Sequence, residues 1–231
     1  MDLVSCHPFD WDLYDTVLLD MDGTLLDLRF DNFFWQELIP ARYADLHGMP
    51  HAEAVAVLEP RFAAARGRLE WYCIDHWSRE LGLDIAALKR EAEDHIDFLP
   101  DVPEFLAAVR QLHKRVVLVT NAHQQTLAIK LQRTRLDQCL DAIYSSHDLG
   151  LPKEDRLFWE RLRGLEPFDP ARTLLVDDSL PVLRSAHDYG LARVIAVLRP
   201  DSSRPPAVAG EFHGVHSVTE LLPAASTRRK G

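Results

Sequence analysis

The feature that most constrains this fold is a series of five short apolar runs, each rich in β-branched residues or leucine. Segments with a helical pattern, such as 102–112 and 124–134, lie between them. Continuous apolar strands that alternate with helices are typical of an α/β protein whose parallel sheet carries helices on both faces. The runs predicted as strands are Thr16–Asp20, Val116–Thr120, Ala142–Ser145, Thr173–Asp177 and Arg193–Val197.

Polar side chains stand at the carboxyl ends of three predicted strands. Any one of these pairs is more commonly explained by a helix cap, a turn or a solvated loop. Because parallel sheets bind ligands beyond the carboxyl ends of their strands, three such ends together favour one shared site. The pairs are Asp20 and Asp22 after the first run, Thr120 and Asn121 at the second, and Asp177 and Asp178 at the fourth.

The longest gap between predicted strands separates the first from the second. It holds about 95 residues, whereas a crossover between parallel strands needs only about 30. Residues 51–66 are rich in Ala and Glu, and apolar residues recur at helical spacing over 85–97. We therefore predict a core domain of residues 1–27 and 100–231 with an inserted helical domain of residues 28–99. Most aromatic side chains of the insertion are expected to form its core.

Charge and cysteine content limit the partners and the compartment. The formal net charge is -10, which argues against a nucleic acid polymer or an anionic membrane surface as partner. Cys6, Cys73 and Cys139 are scattered, which predicts neither a disulfide framework nor a zinc site and favours a reducing cytosol. The acidic N-terminus does not resemble a signal peptide, and no apolar segment reaches the roughly 18 residues of a membrane span. We expect a soluble cytoplasmic protein.

The pair Asp20 and Asp22 lies in the segment LLDMDGTLLD, where two like charges are costly unless a cation lies between them. In an extended chain both side chains point to the same side, and Gly23 permits a sharp turn after them. Carboxylates, a backbone carbonyl, waters and a phosphate oxygen suit Mg²⁺. Asp177 and Asp178 supply further candidate ligands. The sequence therefore predicts a magnesium site at these strand ends.

Other polar residues fit a phosphate group bound beside that cation. Lys153 follows the third predicted strand and can neutralise phosphate oxygens, while the hydroxyls of Thr24 and Thr120 can donate hydrogen bonds to them. One carboxylate can attack phosphorus to form an aspartyl-phosphate. A second carboxylic acid can protonate the leaving oxygen and then activate water. The pattern therefore predicts phosphoryl chemistry.

Four motifs in order resemble the haloacid-dehalogenase-like (HAD) superfamily of phosphohydrolases. They are DMDGT at 20–24, VVLVTN with Thr120 and Asn121, GLPKED with Lys153, and LLVDDS with Asp177 and Asp178. The resemblance implies a HAD-like Rossmannoid core with a C1-type helical cap between the first two motifs. It also implies that Asp20 is the nucleophile and Asp22 the general acid/base, whose backbone carbonyl binds Mg²⁺. Thr120, Asn121 and Lys153 would hold phosphate, and Asp177, Asp178 or both would complete the metal site.

Longer segments are similar to the GMP/IMP 5'-nucleotidase branch of that superfamily. They are LLDMDGTLLDLRFDNFFW, WYCIDHWSRELGLDI, VTNAH and GLPKEDRLFW. The similarity implies hydrolysis of purine nucleoside monophosphates. A planar purine needs a stacking surface and polar groups at its edge. Candidates for these contacts are Asp31, Asn32, Trp35, Trp71 and Tyr72.

Three other functions are compatible with the same motifs. Capped relatives include phosphosugar mutases, which return the phosphoryl group to a bound intermediate, and phosphatases of sugar phosphates or phosphoglycolate. A scaffold that only binds a nucleotide or a protein is the third, and the presence of both Asp20 and Asp22 argues against it. His123 follows the second predicted strand, where it either lies near the phosphate or caps the next helix. The oligomeric state is not predicted.

Overall fold

A six-stranded sheet in which every adjacent pair of strands is parallel forms the centre of the protein. The computed structural model describes residues 9–223, so Cys6 and both ends of the predicted core domain lie outside the described residues. The strands are β1 (Thr16–Leu19), β2 (Arg115–Thr120), β3 (Ala142–Ser145), β4 (Thr173–Asp177), β5 (Arg193–Val197) and β6 (His213–Val215). The predicted parallel α/β sheet is confirmed. Strand β6 is not predicted from the sequence, because its three residues, centred on a glycine, form no apolar run.

Strand β1 lies at the centre of the strand order β3-β2-β1-β4-β5-β6. Its last residue, Leu19, pairs with Leu118 of β2 on one side and with Val176 of β4 on the other. The three strands therefore end at nearly the same height. The strand order reverses at this point, which is where open parallel sheets bind ligands.

Helices fill the chain between β1 and β2, and we call residues 28–99 the helical insertion. A π-helical segment, Phe34–Leu38, joins its first two helices without a break. Phe34 and Trp77 are fully buried inside the insertion, as expected for most of its aromatic residues. Its helices are α1 (Arg29–Phe33), α2 (Ile39–His47), α3 (His51–Ala65), α4 (Leu69–Tyr72), α5 (Ile74–Leu81) and α6 (Ile85–Glu91).

Helices cover both faces of the sheet. Alternate residues of each strand point to opposite sides, so each face carries its own apolar side chains. Leu19 belongs to the core that includes α7 and the insertion, whereas Leu18 packs with α10 and α11 on the other face. Within residues 9–223, no helix combines the length and apolar character needed to cross a membrane. The helices after β1 and the insertion are α7 (Val102–Gln111), α8 (Gln124–Thr134), α9 (Ser146–Leu149), α10 (Arg156–Leu165) and α11 (Leu180–Tyr189).

Candidate active site

A cavity of about 760 Å³ opens where β1, β2 and β4 end. The polar residues predicted at these strand ends line it together with the five residues predicted from the helical insertion. All the predicted site residues except Thr24 therefore meet at one place. Those from the core are Asp20, Asp22, Thr120, Asn121, Lys153, Asp177 and Asp178; those from the insertion are Asp31, Asn32, Trp35, Trp71 and Tyr72.

Thr24 was predicted to bind phosphate, but the structure does not bring it to this cavity. Its side chain lines a separate, smaller cavity, and its buried hydroxyl has no hydrogen-bond partner in the described part of the chain. The reason is the turn at Gly23, whose φ is 84°. The Gly23 N–H donates to the Leu26 carbonyl at 2.7 Å, so the chain reverses direction. The alternation that aligns Asp20 with Asp22 ends there.

Three carboxylates form an acidic cluster at the floor of the cavity. Asp20, Asp177 and Asp178 each offer an oxygen, and these atoms lie within 4.8 Å of one another. The Lys153 ammonium donates to Asp20 and, at 2.7 Å, to Asp177. Burial raises the pKa of Asp20 to about 7 although Lys153 opposes the rise. Burial and the neighbouring Asp177 also raise the pKa of Asp178. This set of oxygen donors suits a hard divalent cation.

The carboxylate of Asp22 turns away from this cluster toward a buried lysine. The Lys130 ammonium donates to Asp22 and to Asp31, at 2.5 Å in each case, and Lys89 donates to Asp31 at 3.0 Å. Burial raises the pKa of Asp22 to about 6, against the attraction of Lys130. Burial also opposes ionisation of Asp31, but Lys130 and Lys89 hold its pKa at about 2. The four side chains alternate in charge and link β1 to the insertion.

Neither Lys89 nor Lys130 is among the residues predicted from sequence, although both helices carry a signal. In α6, Ile85, Leu88 and Lys89 follow the i, i+3, i+4 spacing of a buried face, so the lysine occupies an apolar position. In α8, Lys130 lies three residues after the buried Leu127 and shares its face. A lysine on an apolar helix face requires a buried carboxylate partner.

Asn121 holds Lys153 in place. Its side-chain oxygen accepts from the Lys153 backbone N–H at 2.9 Å, and its amide donates to Glu154 at 3.0 Å. The Tyr72 hydroxyl, from the insertion, donates to the other oxygen of Glu154 at 2.6 Å. Burial raises the pKa of Tyr72, and Glu154 raises it further, so this hydroxyl keeps its proton. Glu154, which directly follows Lys153, therefore connects the core to the insertion.

The far end of the cavity is aromatic. The rings of Trp35 and Trp71 are stacked, with centroids 6.5 Å apart and planes 30° apart, and Phe62 packs edge-on against both. The Arg66 guanidinium lies 5.9 Å from the centre of the Trp71 ring. Exposed Glu59 and Arg66 complete this end of the cavity. A flat apolar group with polar edges fits such a wall.

Comparison with known proteins agrees with this geometry. Residues 14–190 match the family described as haloacid dehalogenase-like hydrolase. The GMP/IMP nucleotidase YrfG of Escherichia coli (strain K12) is 42% identical over 214 residues, which cover 93% of this chain and 96% of that protein. The protein of the same name from Shigella flexneri gives the same values.

Solved structures carry the same fold. A HAD phosphatase from Thermococcus onnurineus matches with a TM-score of 0.77 and 18% identity, over 90% of this chain and 95% of that one. The putative HAD-hydrolase YfnB from Bacillus subtilis, solved bound to magnesium, matches with a TM-score of 0.61 and 20% identity, over 90% and 96% of the two chains. The fold, the motif order and the family match over most of the sequence lead to one conclusion. The chain belongs to the haloacid dehalogenase-like hydrolase family.

Proposed function

We propose that this protein hydrolyses purine nucleoside 5'-monophosphates, with GMP and IMP as preferred substrates, to the nucleoside and inorganic phosphate. The observation that carries the proposal is the continuity of one cavity from the carboxylates of β1 to the stacked Trp35 and Trp71. One end offers carboxylates and a buried ammonium for a phosphate group, and the other offers a flat surface for a base. The nearly full-length similarity to a GMP/IMP nucleotidase supports the same substrate class.

Asp20 is the proposed nucleophile and Asp22 the proposed general acid/base. Contact with Lys153 favours the ionised form of Asp20, which attack on phosphorus requires. A pKa of about 6 allows Asp22 to give a proton to the leaving nucleoside oxygen and to take one from water near neutral pH. Lys130 fixes the direction of the Asp22 carboxylate. The two residues thus have different partners and different tasks.

Lys153 and Thr120 are the proposed phosphate ligands. Lys153 is 2% exposed and lines the cavity beside Asp20, so its charge faces the reacting group. The Thr120 hydroxyl oxygen accepts from the Ala122 N–H at 3.0 Å, which leaves its own proton for a phosphate oxygen. Asn121 is assigned a positioning role, because both ends of its amide bind Lys153 and Glu154.

Asp20, Asp177 and Asp178 are the proposed ligands of Mg²⁺, with the Asp22 backbone carbonyl. The donor set fits the ion, because three carboxylates are gathered where burial and the charge of Asp177 raise the pKa of Asp20 and Asp178. A bound Mg²⁺ would neutralise phosphate oxygens and keep the Asp20 carboxylate ionised. Gly23 allows Asp178 its position, since a Cβ at residue 23 would lie 2.6 Å from the Asp178 carboxylate.

Two charged side chains beside the aromatic wall, Glu59 and Arg66, support a preference for 6-oxopurines. GMP and IMP share an accepting oxygen at C6 and a donating N1–H, and AMP has the opposite pattern. Arg66 can donate to the oxygen and Glu59 can accept from N1–H. Asp31 and Asn32 line the same cavity, but both already have partners. Asp31 accepts from Lys89 and Lys130, and Asn32 donates to Asp201. They are proposed to shape the site, and Trp35, Trp71 and Tyr72 to contact the nucleoside.

We also propose that residues 28–99 form a cap domain over a core of residues 1–27 and 100–231. The helices of the insertion form one wall of the cavity and the strand ends form the other. The Tyr72–Glu154 and Lys130–Asp31 contacts join the two parts. Opening of the insertion would admit substrate, and closing would exclude water from the carboxylates.

A phosphate-release assay with Mg²⁺ tests this function. GMP and IMP are expected to give the highest kcat/KM in a panel with AMP, pyrimidine monophosphates and several sugar phosphates, with one phosphate released per nucleoside. Asp20→Asn should abolish release, whereas the matched control Asp188→Asn, an exposed residue, should not change it. Equal rates on sugar phosphates would refute the substrate class. Isomer formation without phosphate would indicate a mutase instead.

A further inference from the structure

A second cluster of metal-ligating side chains shares no residue with the acidic cluster, although one of its members, His123, lines the same cavity. Cys73, His123 and His147 each offer a ligand atom, and these atoms lie within 4.8 Å of one another. Cys73 belongs to the helical insertion, at the junction of α4 and α5. His123 caps the N-terminus of α8, and His147 lies in α9 after β3. The cluster therefore spans the boundary between the insertion and the carboxyl edge of the sheet.

Among the residues that the structure describes, one group of this cluster lacks a hydrogen-bond partner, and a second has a single backbone donor. The His147 Nε2 atom is buried and has no hydrogen-bond partner among residues 9–223. An unpaired buried polar atom is costly and calls for a ligand or another explanation. The Cys73 sulfur accepts a hydrogen bond of 3.4 Å from the His76 N–H. The rings of His123 and His147 stand edge to face with centroids 4.8 Å apart, and a ring nitrogen of each lies within 4.8 Å of the other and of the Cys73 sulfur.

The chemistry of the three groups is that of a soft or borderline metal. Burial lowers the pKa of His147 to about 4, and the neighbouring His123 lowers it further, so this imidazole is neutral and its lone pair is free. Thiolate and neutral imidazole are the ligands that Zn²⁺ prefers, whereas Mg²⁺ prefers oxygen. The acidic cluster and the Cys-His-His cluster therefore select different ions.

We propose that Cys73, His123 and His147 bind Zn²⁺ and that the bound ion fastens the helical insertion to the core. Bonds of about 2.3 Å to sulfur and about 2.0 Å to nitrogen place tetrahedral ligand atoms about 3.3–3.5 Å apart. Small side-chain movements would bring the three ligand atoms from their present spacing to this one. Water can take the fourth position, or Asp75 can, since its carboxylate lies 3.6 Å from His123 Nε2. The Cys73 thiol releases its proton to solvent on binding.

The consequence for turnover rests on the proposed function. A metal bond between the insertion and the core opposes the opening that admits substrate and releases the nucleoside. Zn²⁺ is therefore an inhibitor that acts at a site separate from the Mg²⁺ ligands. The sequence alone argues against a zinc site, because the three ligands lie about 50 and about 24 residues apart and match no zinc-ligand spacing.

Cobalt substitution tests the site without reference to activity. The full chain, stripped of metal by a chelator, is titrated with Co²⁺ and followed by absorption. A near-ultraviolet sulfur-to-cobalt charge-transfer band and intense visible bands of a tetrahedral ion are expected. Cys73→Ser should remove the charge-transfer band, and His147→Gln should weaken Co²⁺ binding at least about tenfold. Cys139→Ser and Cys6→Ser are the matched controls and should keep the band.

Absence of the band in the unmodified chain, or its persistence in Cys73→Ser, would overturn the site. Circular dichroism of each variant separates loss of binding from loss of fold. In the second arm, Zn²⁺ is added to phosphate release from GMP in excess Mg²⁺. Inhibition should be strong in the unmodified chain and at least about tenfold weaker in Cys73→Ser. Equal inhibition of both would refute the fastening role. A chain that binds Co²⁺ through Cys73 but hydrolyses no nucleotide would refute the proposed function alone.

Discussion

Replacement of Lys130 by methionine tests the charge network that links the end of β1 to the insertion. The Lys130 side chain is 1% exposed and donates to both Asp22 and Asp31. Lys130→Met keeps the length of the side chain and removes its charge. Lys89 still compensates Asp31, at 3.0 Å, so Asp22, whose side chain is 23% exposed, is left as the carboxylate without a partner.

The expected cost follows from that unpaired charge. Removing one partner of a buried ion pair typically costs about 3–5 kcal/mol, and the partial exposure of Asp22 places the cost toward the lower value. For a chain of 150–250 residues each kcal/mol lowers the Tm by about 2–4 °C. The Tm of Lys130→Met should therefore fall by about 6–20 °C. Lys114→Met is the matched control and should change it little, since Lys114 forms no ion pair within the described range 9–223.

A double-mutant cycle identifies the cause. Asp22→Asn, Lys130→Met and the double variant are unfolded by urea at a pH above 6, where Asp22 is ionised in the folded protein. The double variant lacks the unpaired charge and keeps the Asp31–Lys89 pair, so it should be less destabilised than the sum of the single variants. Additivity within about 0.5 kcal/mol would refute the reasoning, because it would show that the two residues do not interact.

Three further predictions concern the site. Gly23→Ala should destabilise the protein by about 1–2 kcal/mol, since φ is positive there, and should raise the Mg²⁺ concentration needed for half-maximal phosphate release by displacing Asp178; an unchanged Mg²⁺ requirement would contradict the metal assignment. Trp71→Ala should raise KM for GMP roughly 5- to 150-fold, the equivalent of about 1–3 kcal/mol of base stacking, and steady-state kinetics should show no such rise for a small sugar phosphate. Tyr72→Phe removes the hydrogen bond to Glu154 and should cost about 1.5–3 kcal/mol in thermal unfolding, as bonds to charged groups do; a stability equal to that of the parent chain would argue against this contact.

Much of the core was predictable from local pattern. The apolar runs around β1, β2, β4 and β5 specify buried parallel strands, since few other structures bury continuous apolar segments of that length. The rule that ligands bind at the carboxyl ends of such strands then brings Asp20, Thr120 and Asp177 together without knowledge of the strand order. Family resemblance adds the separate roles of the two aspartates of DMDGT.

Other parts of the site depended on contacts that no local pattern encodes. Thr24 follows the alternation of Asp20 and Asp22 in sequence, but the turn at Gly23 removes it from the cavity. Lys130 contacts Asp22, which lies 108 residues away in the sequence. Its position on an apolar helix face predicts a buried charge but does not indicate which carboxylate pairs with it.

The sequence by itself therefore determines the α/β sheet, the family and the carboxylates that carry the proposed chemistry, because these depend on short apolar runs and on residues a few positions apart. Only the tertiary structure decides which side chains surround those carboxylates. It joins Cys73 to His123 and His147, stacks Trp35 against Trp71 and pairs Lys89 with Asp31. These contacts form where the helical insertion packs onto the sheet, and that packing depends on the shape of two buried surfaces distant in the chain.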